Sequence, residues 1–139
     1  MNNVLSLNYS PFWFEDISLF SDVTQHTKTL TSLKREVHRS DEVFIHEFYS
    51  NYNNPLPPSW MTLEVASFGT ISTMYKNLKS SPAKRKIASH FGLNDSTFES
   101  WFHNMSYIRN ACAHHARIWN KKNIHKTTNS QNHYKDMAK

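Results

Sequence analysis

The sequence predicts an all-α protein, and three observations carry that reading. Only two glycines and five prolines occur among 139 residues, which argues against a Gly-rich β architecture and against a phosphate-cradling glycine loop. Long stretches repeat apolar residues at helical spacing. Helix punctuation, in the form of Ser-Ser-Pro, a following glycine and a Ser-x-x-Glu box, falls at the ends of those stretches.

The elements follow in order. Residues 1–20 hold Tyr9, Pro11, Phe12, Trp13, Phe14 and Phe20 without a clear period, and read as a packed, irregular aromatic arm. A long helix is predicted over 22–49, because Leu30, Leu33, Val37, Phe44 and Phe48 recur near a period of 3.5 with Lys34, Arg35, Glu36, Arg39 and Asp41 between them. Asn51-Tyr-Asn-Asn-Pro-Leu-Pro-Pro58 cannot continue it, since proline lacks the amide and clashes with the preceding turn. Ser59 is the expected cap of a helix over 60–78 with the stripe Trp60, Glu64, Phe68, Ile71, Tyr75 and Leu78. Gly69 lies inside it, and either a close helix contact or a break explains a glycine there. Ser80-Ser-Pro82 opens a short helix that stops at Phe91-Gly92. Ser96-Thr-Phe-Glu99 reads as a capping box for the last helix, over 97–121. Its expected stripe is Phe98, Trp101, Phe102, Met105, Ile108, Cys112, His115 and Trp119. Residues 122–139 are polar and bury too little to offset ordering entropy, so a disordered basic tail is expected after a domain spanning 1–121.

Composition bounds the function. The formal net charge is +5, with nine histidines besides, and the pI is near 9.4. A basic surface attracts polyanions. The single cysteine, Cys112, excludes an internal disulfide and fits a reducing, cytoplasmic setting. No apolar run approaches the roughly 20 residues that span a bilayer, and the start lacks a secretion-signal pattern. No membrane partner is expected.

The candidate site is Tyr107-Ile-Arg-Asn-Ala-Cys-Ala-His-His-Ala-Arg-Ile-Trp-Asn120. At 100° per residue, Asn110, His114, Arg117 and Lys121 share one helix face, while Ile108, Ala111, Cys112, His115 and Trp119 form a neighbouring, packing face. Arg109 stands about 140° from His114 around the axis. Meeting on one phosphate therefore needs helix distortion, long reach or a second copy of the helix. The chemistry these residues suit is metal-free RNA cleavage. A histidine near its usual pKa exchanges protons at neutral pH, an arginine clamps phosphate, and Asn110 can orient the histidine or bind a phosphate oxygen. Each has a plainer reading. Arg109 and His114 would be ordinary surface residues, and Arg117 and Asn120 would decorate a helix end. His115 and Trp119 would belong to the core. His114-His115 lacks the i, i+4 pair of a helical zinc site, so neither metal nor cofactor is expected. His125 and His133 fall in the tail.

Arg109-Asn-Ala-Cys-Ala-His114 resembles the Arg-x4-6-His motif of HEPN domains. The longer string through Asn120 resembles the abortive-infection (Abi-like, AbiD/AbiF type) bacteriophage-resistance family. Glu36-Val-His-Arg-Ser40, Phe44-Ile-His46, Pro57-Pro-Ser-Trp60, Glu64-Val-Ala-Ser-Phe-Gly69, Ile71-Ser72, Tyr75-Lys-Asn-Leu78 and Ser100-Trp-Phe-His103 extend the likeness over about 9–120. The resemblance implies a HEPN-like helical bundle, an RNA target and a role in phage defence. It implies an endoribonuclease in which Arg109 and His114 are catalytic and Asn110 supports them, with His115, Arg117, Asn120 and Lys121 on the RNA. It further implies a homodimer that completes the site, and makes a cognate antitoxin or non-coding RNA a candidate partner. Relative to that family the chain reads as short at its N-terminal side, with a bundle that is then incomplete.

Two other readings compete. A helix-turn-helix over 84–102 would bind DNA, with Lys84, Arg85 and Lys86 on phosphates, although its second helix starts without a basic residue. An inactive RNA- or protein-binding scaffold, antitoxin-like, would keep the fold without cleavage.

Overall fold

A computed structural model of the chain describes residues 1–113. Those residues form seven α-helices and two short 3-10 turns, with no β-strand among them, so the all-α expectation holds. The predicted tail lies outside the described residues.

The N-terminal arm packs as its aromatics suggest, but it is not irregular. Helix α1, Asn2–Asn8, precedes the 3-10 turns Trp13–Glu15 and Ile17–Leu19. Periodicity does not reveal α1, because seven residues give barely two turns of pattern and its one buried residue is Leu5. Trp13 and Phe14 are fully buried, with Phe20 beside them. The Trp13 ring stacks on Phe20 at 6.4 Å.

Helix α2, Val23–His38, starts at Asp22, whose carboxylate accepts from the Gln25 amide at 3.0 Å. It buries His26, Thr29, Leu33 and Val37. His26 Nε2 lies 2.8 Å from the Phe14 carbonyl, and its ring stacks on Phe20 at 4.2 Å, so α2 grips the arm. The predicted single helix over 22–49 is in fact two. The chain leaves α2 at Arg39 and resumes as α3, Val43–Asn51. In the gap the Ser40 hydroxyl accepts from the Glu42 amide at 3.3 Å, the local competition by which short polar side chains interrupt helices. The apolar spacing stays in phase across the gap, so periodicity alone does not mark it.

The proline connector forms as expected and buries Leu56 and Pro57. Ser59 is the first residue of α4, Ser59–Val65, rather than its cap. Its hydroxyl is engaged instead with that of Ser6, at 2.9 Å. The helix predicted over 60–78 also divides. Ser67 ends the break and caps α5, Phe68–Asn77, by accepting from the Thr70 amide at 3.2 Å. Gly69 serves the close contact: a Cβ there would sit 3.3 Å from the Ser106 hydroxyl.

Helix α6, Pro82–Ser89, opens at the predicted Ser80-Ser-Pro82 string, with Ser81 as its cap; it ends at Ser89, just before the predicted Phe91-Gly92 stop, where Gly92 takes φ 69°. Helix α7, Asp95–Ala113, is capped by Asn94, which accepts from the Thr97 amide at 2.7 Å. The Ser96/Glu99 capping box therefore does not form, because the helix already begins at Asp95 and Asn94 caps it. Glu99 reaches Lys84 Nζ at 2.6 Å instead. Lys84 is buried, which removes it from the phosphate contacts that a helix-turn-helix would require. Helix α5 lies between α2 and α7, while α6 joins α7 to α1. Backbone bonds from Ser21 to Asn77 and from Lys79 to Leu19, both 2.9 Å, tie the arm to the end of α5.

The predicted stripe of α7 splits. Phe98 and Phe102 pack edge-on against Tyr75 and Phe68 at 4.9 and 4.7 Å. Trp101, Met105 and Ile108 stay 51%, 52% and 40% exposed, and Cys112 is exposed with them. Periodicity finds apolar positions but does not tell which ones the core will cover. His115 and Trp119 lie outside the described residues.

Lys84 closes the C-terminal end of α5, donating to the Leu78 carbonyl at 2.6 Å and to the Lys76 carbonyl at 3.4 Å. Tyr75 donates to the Lys84 carbonyl at 3.2 Å. Burial, with Asp95 and Glu99 adding to it, pushes the Tyr75 phenol well above its ordinary pKa, so it remains a donor. Lys84→Ala strands those carbonyls and the Glu99 carboxylate. It is expected to cost about 2–4 kcal/mol in urea unfolding, somewhat softened because Glu99 keeps some solvent. A loss below about 1 kcal/mol would mean the node is incidental.

Candidate functional site

Arg109 and Asn110 stand near the end of α7, both exposed. The Asn110 carbonyl oxygen accepts from Arg109 Nη1 at 3.3 Å. That bond sets the Asn110 side chain against the guanidinium. His114, His115, Arg117, Asn120 and Lys121 lie outside the described residues, so of the predicted set the structure brings together Arg109 and Asn110.

It also places Arg109 somewhere the sequence does not foretell. Arg109 helps to line a cleft of about 700 Å³ between the end of α2, the α4–α5 break and α7. Arg35 and Arg39 line the same cleft, together with Glu36, Glu42, Phe44 and Glu64. By sequence, Arg35 and Arg39 are merely polar residues between apolar ones. Their spacing, one helical turn apart, is the available signal. The two stretches Glu36-Val-His-Arg-Ser40 and Glu64-Val-Ala-Ser-Phe-Gly69, remote in sequence, meet here beside Arg109.

Glu36 organises the cleft. Its carboxylate accepts from the Ser67 amide and from the Thr70 hydroxyl, each at 2.9 Å. It sits at the N-terminus of α5, where a negative charge is favoured by the amides and the helix dipole. Those bonds fix the α4–α5 break against α2, and therefore the width of the cleft. The guanidinium groups of Arg35 and Arg39 meet no carboxylate among the described residues, and neither Glu42 nor Glu64 is paired there. Basic residues at the end of α2 are partly explained by its dipole. The convergence of three arginines from two helices, none with a carboxylate partner among the described residues, is not. Such an arrangement can hold an anion with planar, charge-assisted hydrogen bonds.

A smaller depression of about 360 Å³ near the end of α5 includes Lys76 and His103. Asp22 and Asn77 in its wall are committed to each other, through bonds of 2.9 and 2.8 Å between the Asn77 side-chain amide and the Asp22 backbone. Among the described residues no group of His, Cys, Asp and Glu is arranged to hold a metal ion, and no helix is long and apolar enough to cross a membrane.

Glu36→Ala is expected to cost about 1–2 kcal/mol, the worth of charge-assisted bonds at a partly exposed site. Amide exchange at Ser67 and Thr70 should quicken by roughly tenfold as the local opening energy falls. Unchanged exchange at those amides would show that the break is held by something else.

Comparison with known proteins adds the family to this geometry. A family model described as Abi-like protein matches residues 1–120. No curated protein and no solved structure matches the chain.

Proposed function

The chain belongs to the Abi-like protein family, and from that premise we propose that it acts in abortive infection, the phage-defence response, as a metal-independent endoribonuclease. The observation that carries the reading is Arg109, steadied by Asn110 and lining one cleft with Arg35 and Arg39. Such a cleft suits a polyanion, and the overall charge of +5 draws one in.

In the proposed reaction the ribose 2′-oxygen attacks the adjacent phosphorus. The bond to the 5′-oxygen breaks, leaving a 2′,3′-cyclic phosphate and a 5′-hydroxyl. His114 moves the proton, and Arg109 stabilises the negative charge that develops on the phosphoryl oxygens. DNA lacks the attacking hydroxyl and is no substrate for this step.

Ideal helix geometry separates Arg109 from His114 by about 140°, so in this proposal Arg109 of one copy works with His114 of a second. The exposed stripe Trp101, Met105, Ile108 and Cys112 on α7 supports that arrangement. It gives a second copy an apolar surface on the helix that bears the site. The helix-turn-helix reading loses support, since Lys84 is buried against Glu99 and α7 opens with Asp95, a poor neighbour for phosphate.

Purified protein with mixed RNA in EDTA should yield 2′,3′-cyclic phosphate ends. Arg109→Ala or His114→Ala should lower the rate by roughly 100-fold or more. RNA that binds but stays intact would favour the scaffold reading. Mixing the two inactive variants should restore about a quarter of the wild-type rate, because half the dimers are mixed and each then carries one intact site of two. Met105→Glu should give monomers by sedimentation, with cleavage lost. An active monomer would sink the composite site.

A further inference from the structure

We propose that the cleft beside Arg109 is a nucleotide pocket selective for guanine, with Arg35 and Arg39 on RNA phosphates, Phe44 under the base and Glu64 on its edge. This rests on the RNA reading above for the class of ligand, but not on cleavage.

The cleft volume of about 700 Å³ falls inside the usual range for small-ligand sites, roughly 300–1,000 Å³. Its walls divide by chemistry. Arg35 and Arg39 stand at the end of α2 on one side, exposed and unpaired among the described residues. Phe44, Val65 and Ala66 supply an apolar surface. Phe44 is half-buried and packs on the core, so its ring is held while part of it faces the cleft. An aromatic face beside cations is how single-stranded RNA is received: phosphates on arginine, a base on the ring.

The carboxylates decide which base. Glu36 is committed to Ser67 and Thr70. Glu42 precedes the first turn of α3, where a negative charge serves the helix dipole. Glu64 has no such local reason. It lies in the last turn of α4, the end at which a carboxylate is disfavoured, and no described residue pairs with it. Its charge is left for a ligand with donors. A carboxylate offers two acceptors side by side. Guanine presents two adjacent donors, N1–H and the 2-amino group, whereas the other bases present one donor beside an acceptor. A bidentate match of this kind separates bases by a factor of roughly 10 to 100.

The test measures binding without cleavage. Labelled 2′-O-methyl oligouridines carrying one central guanosine, inosine or no substitution cannot react, and their affinities are read by fluorescence anisotropy across a salt series. Inosine lacks only the 2-amino group. Guanosine should bind about tenfold more tightly than inosine. Glu64→Gln should shrink that ratio to within about twofold, while oligouridine still binds, somewhat more tightly for the loss of a negative charge from the cleft. Arg35→Ala with Arg39→Ala should weaken every oligonucleotide by at least tenfold and lower the salt slope by about 0.7 for each phosphate no longer neutralised. Circular-dichroism melts that overlay the wild type will confirm folding, and all three side chains are exposed. Unchanged affinity in the double arginine variant overturns the pocket. A guanosine preference that survives Glu64→Gln overturns the base assignment. Binding that follows these expectations in a protein that never cleaves RNA upholds the pocket and removes the nuclease. Cleavage that is indifferent to the arginine variants does the reverse.

Discussion

Helix α5 is held at each end by a charged side chain from another helix, and the rest of the structure is arranged around that constraint. Glu36 of α2 takes the Ser67 amide and the Thr70 hydroxyl at its N-terminus. Lys84 of α6 takes the Lys76 and Leu78 carbonyls at its C-terminus. Both charges have the sign that the helix dipole favours, and each satisfies backbone groups that a ten-residue helix leaves open. Lys84 also carries Glu99 of α7, so the helix bearing Arg109 is aligned through the same node. The two caps therefore set the distance between α2 and α7, across which the cleft opens.

The cleft exists because two helices are broken. Arg39, Ser40 and Glu42 come from the gap between α2 and α3, and Val65, Ala66 and Ser67 from the junction between α4 and α5. Continuous helices would have run past each other and closed this side of the bundle with side chains. Serine does the breaking in both places, Ser40 by holding the Glu42 amide and Ser67 by holding that of Thr70. Local hydrogen-bond competition thus becomes a binding surface.

The core is built as much by the N-terminal arm as by the long helices. Trp13, Phe14 and Phe20 join the buried cluster with residues of α2 and α5, and His26 bonds the arm in place. Because the arm satisfies those faces, α7 need supply only Phe98 and Phe102 to the aromatic cluster around Tyr75. The remaining apolar stripe of α7 is left at the surface, on the helix that also bears Arg109. Stability and the proposed assembly therefore draw on different faces of one helix.

The helical class, the proline connector, the start and stop of α6 and the aromatic character of the arm are all readable in the sequence, since each depends on neighbours a few residues away. So is the pairing of Arg109 with Asn110 as candidates, through the string in which they stand. The breaks at 39–42 and 66–67 are not, because the apolar phase runs through them unchanged and only hydrogen bonding marks them. Nor is the partition of α7 between core and surface, since hydrophobicity does not say what will cover a residue. Glu99 illustrates the limit. Its spacing from Ser96 fits a local cap, yet Asn94 takes that task and Glu99 turns to a buried lysine on another helix. What a residue can do with its near neighbours is written in the chain. Which of Arg35, Arg39, Glu64 and Arg109 come to share one cleft depends on contacts between segments dozens of residues apart, and only the folded structure chooses among them.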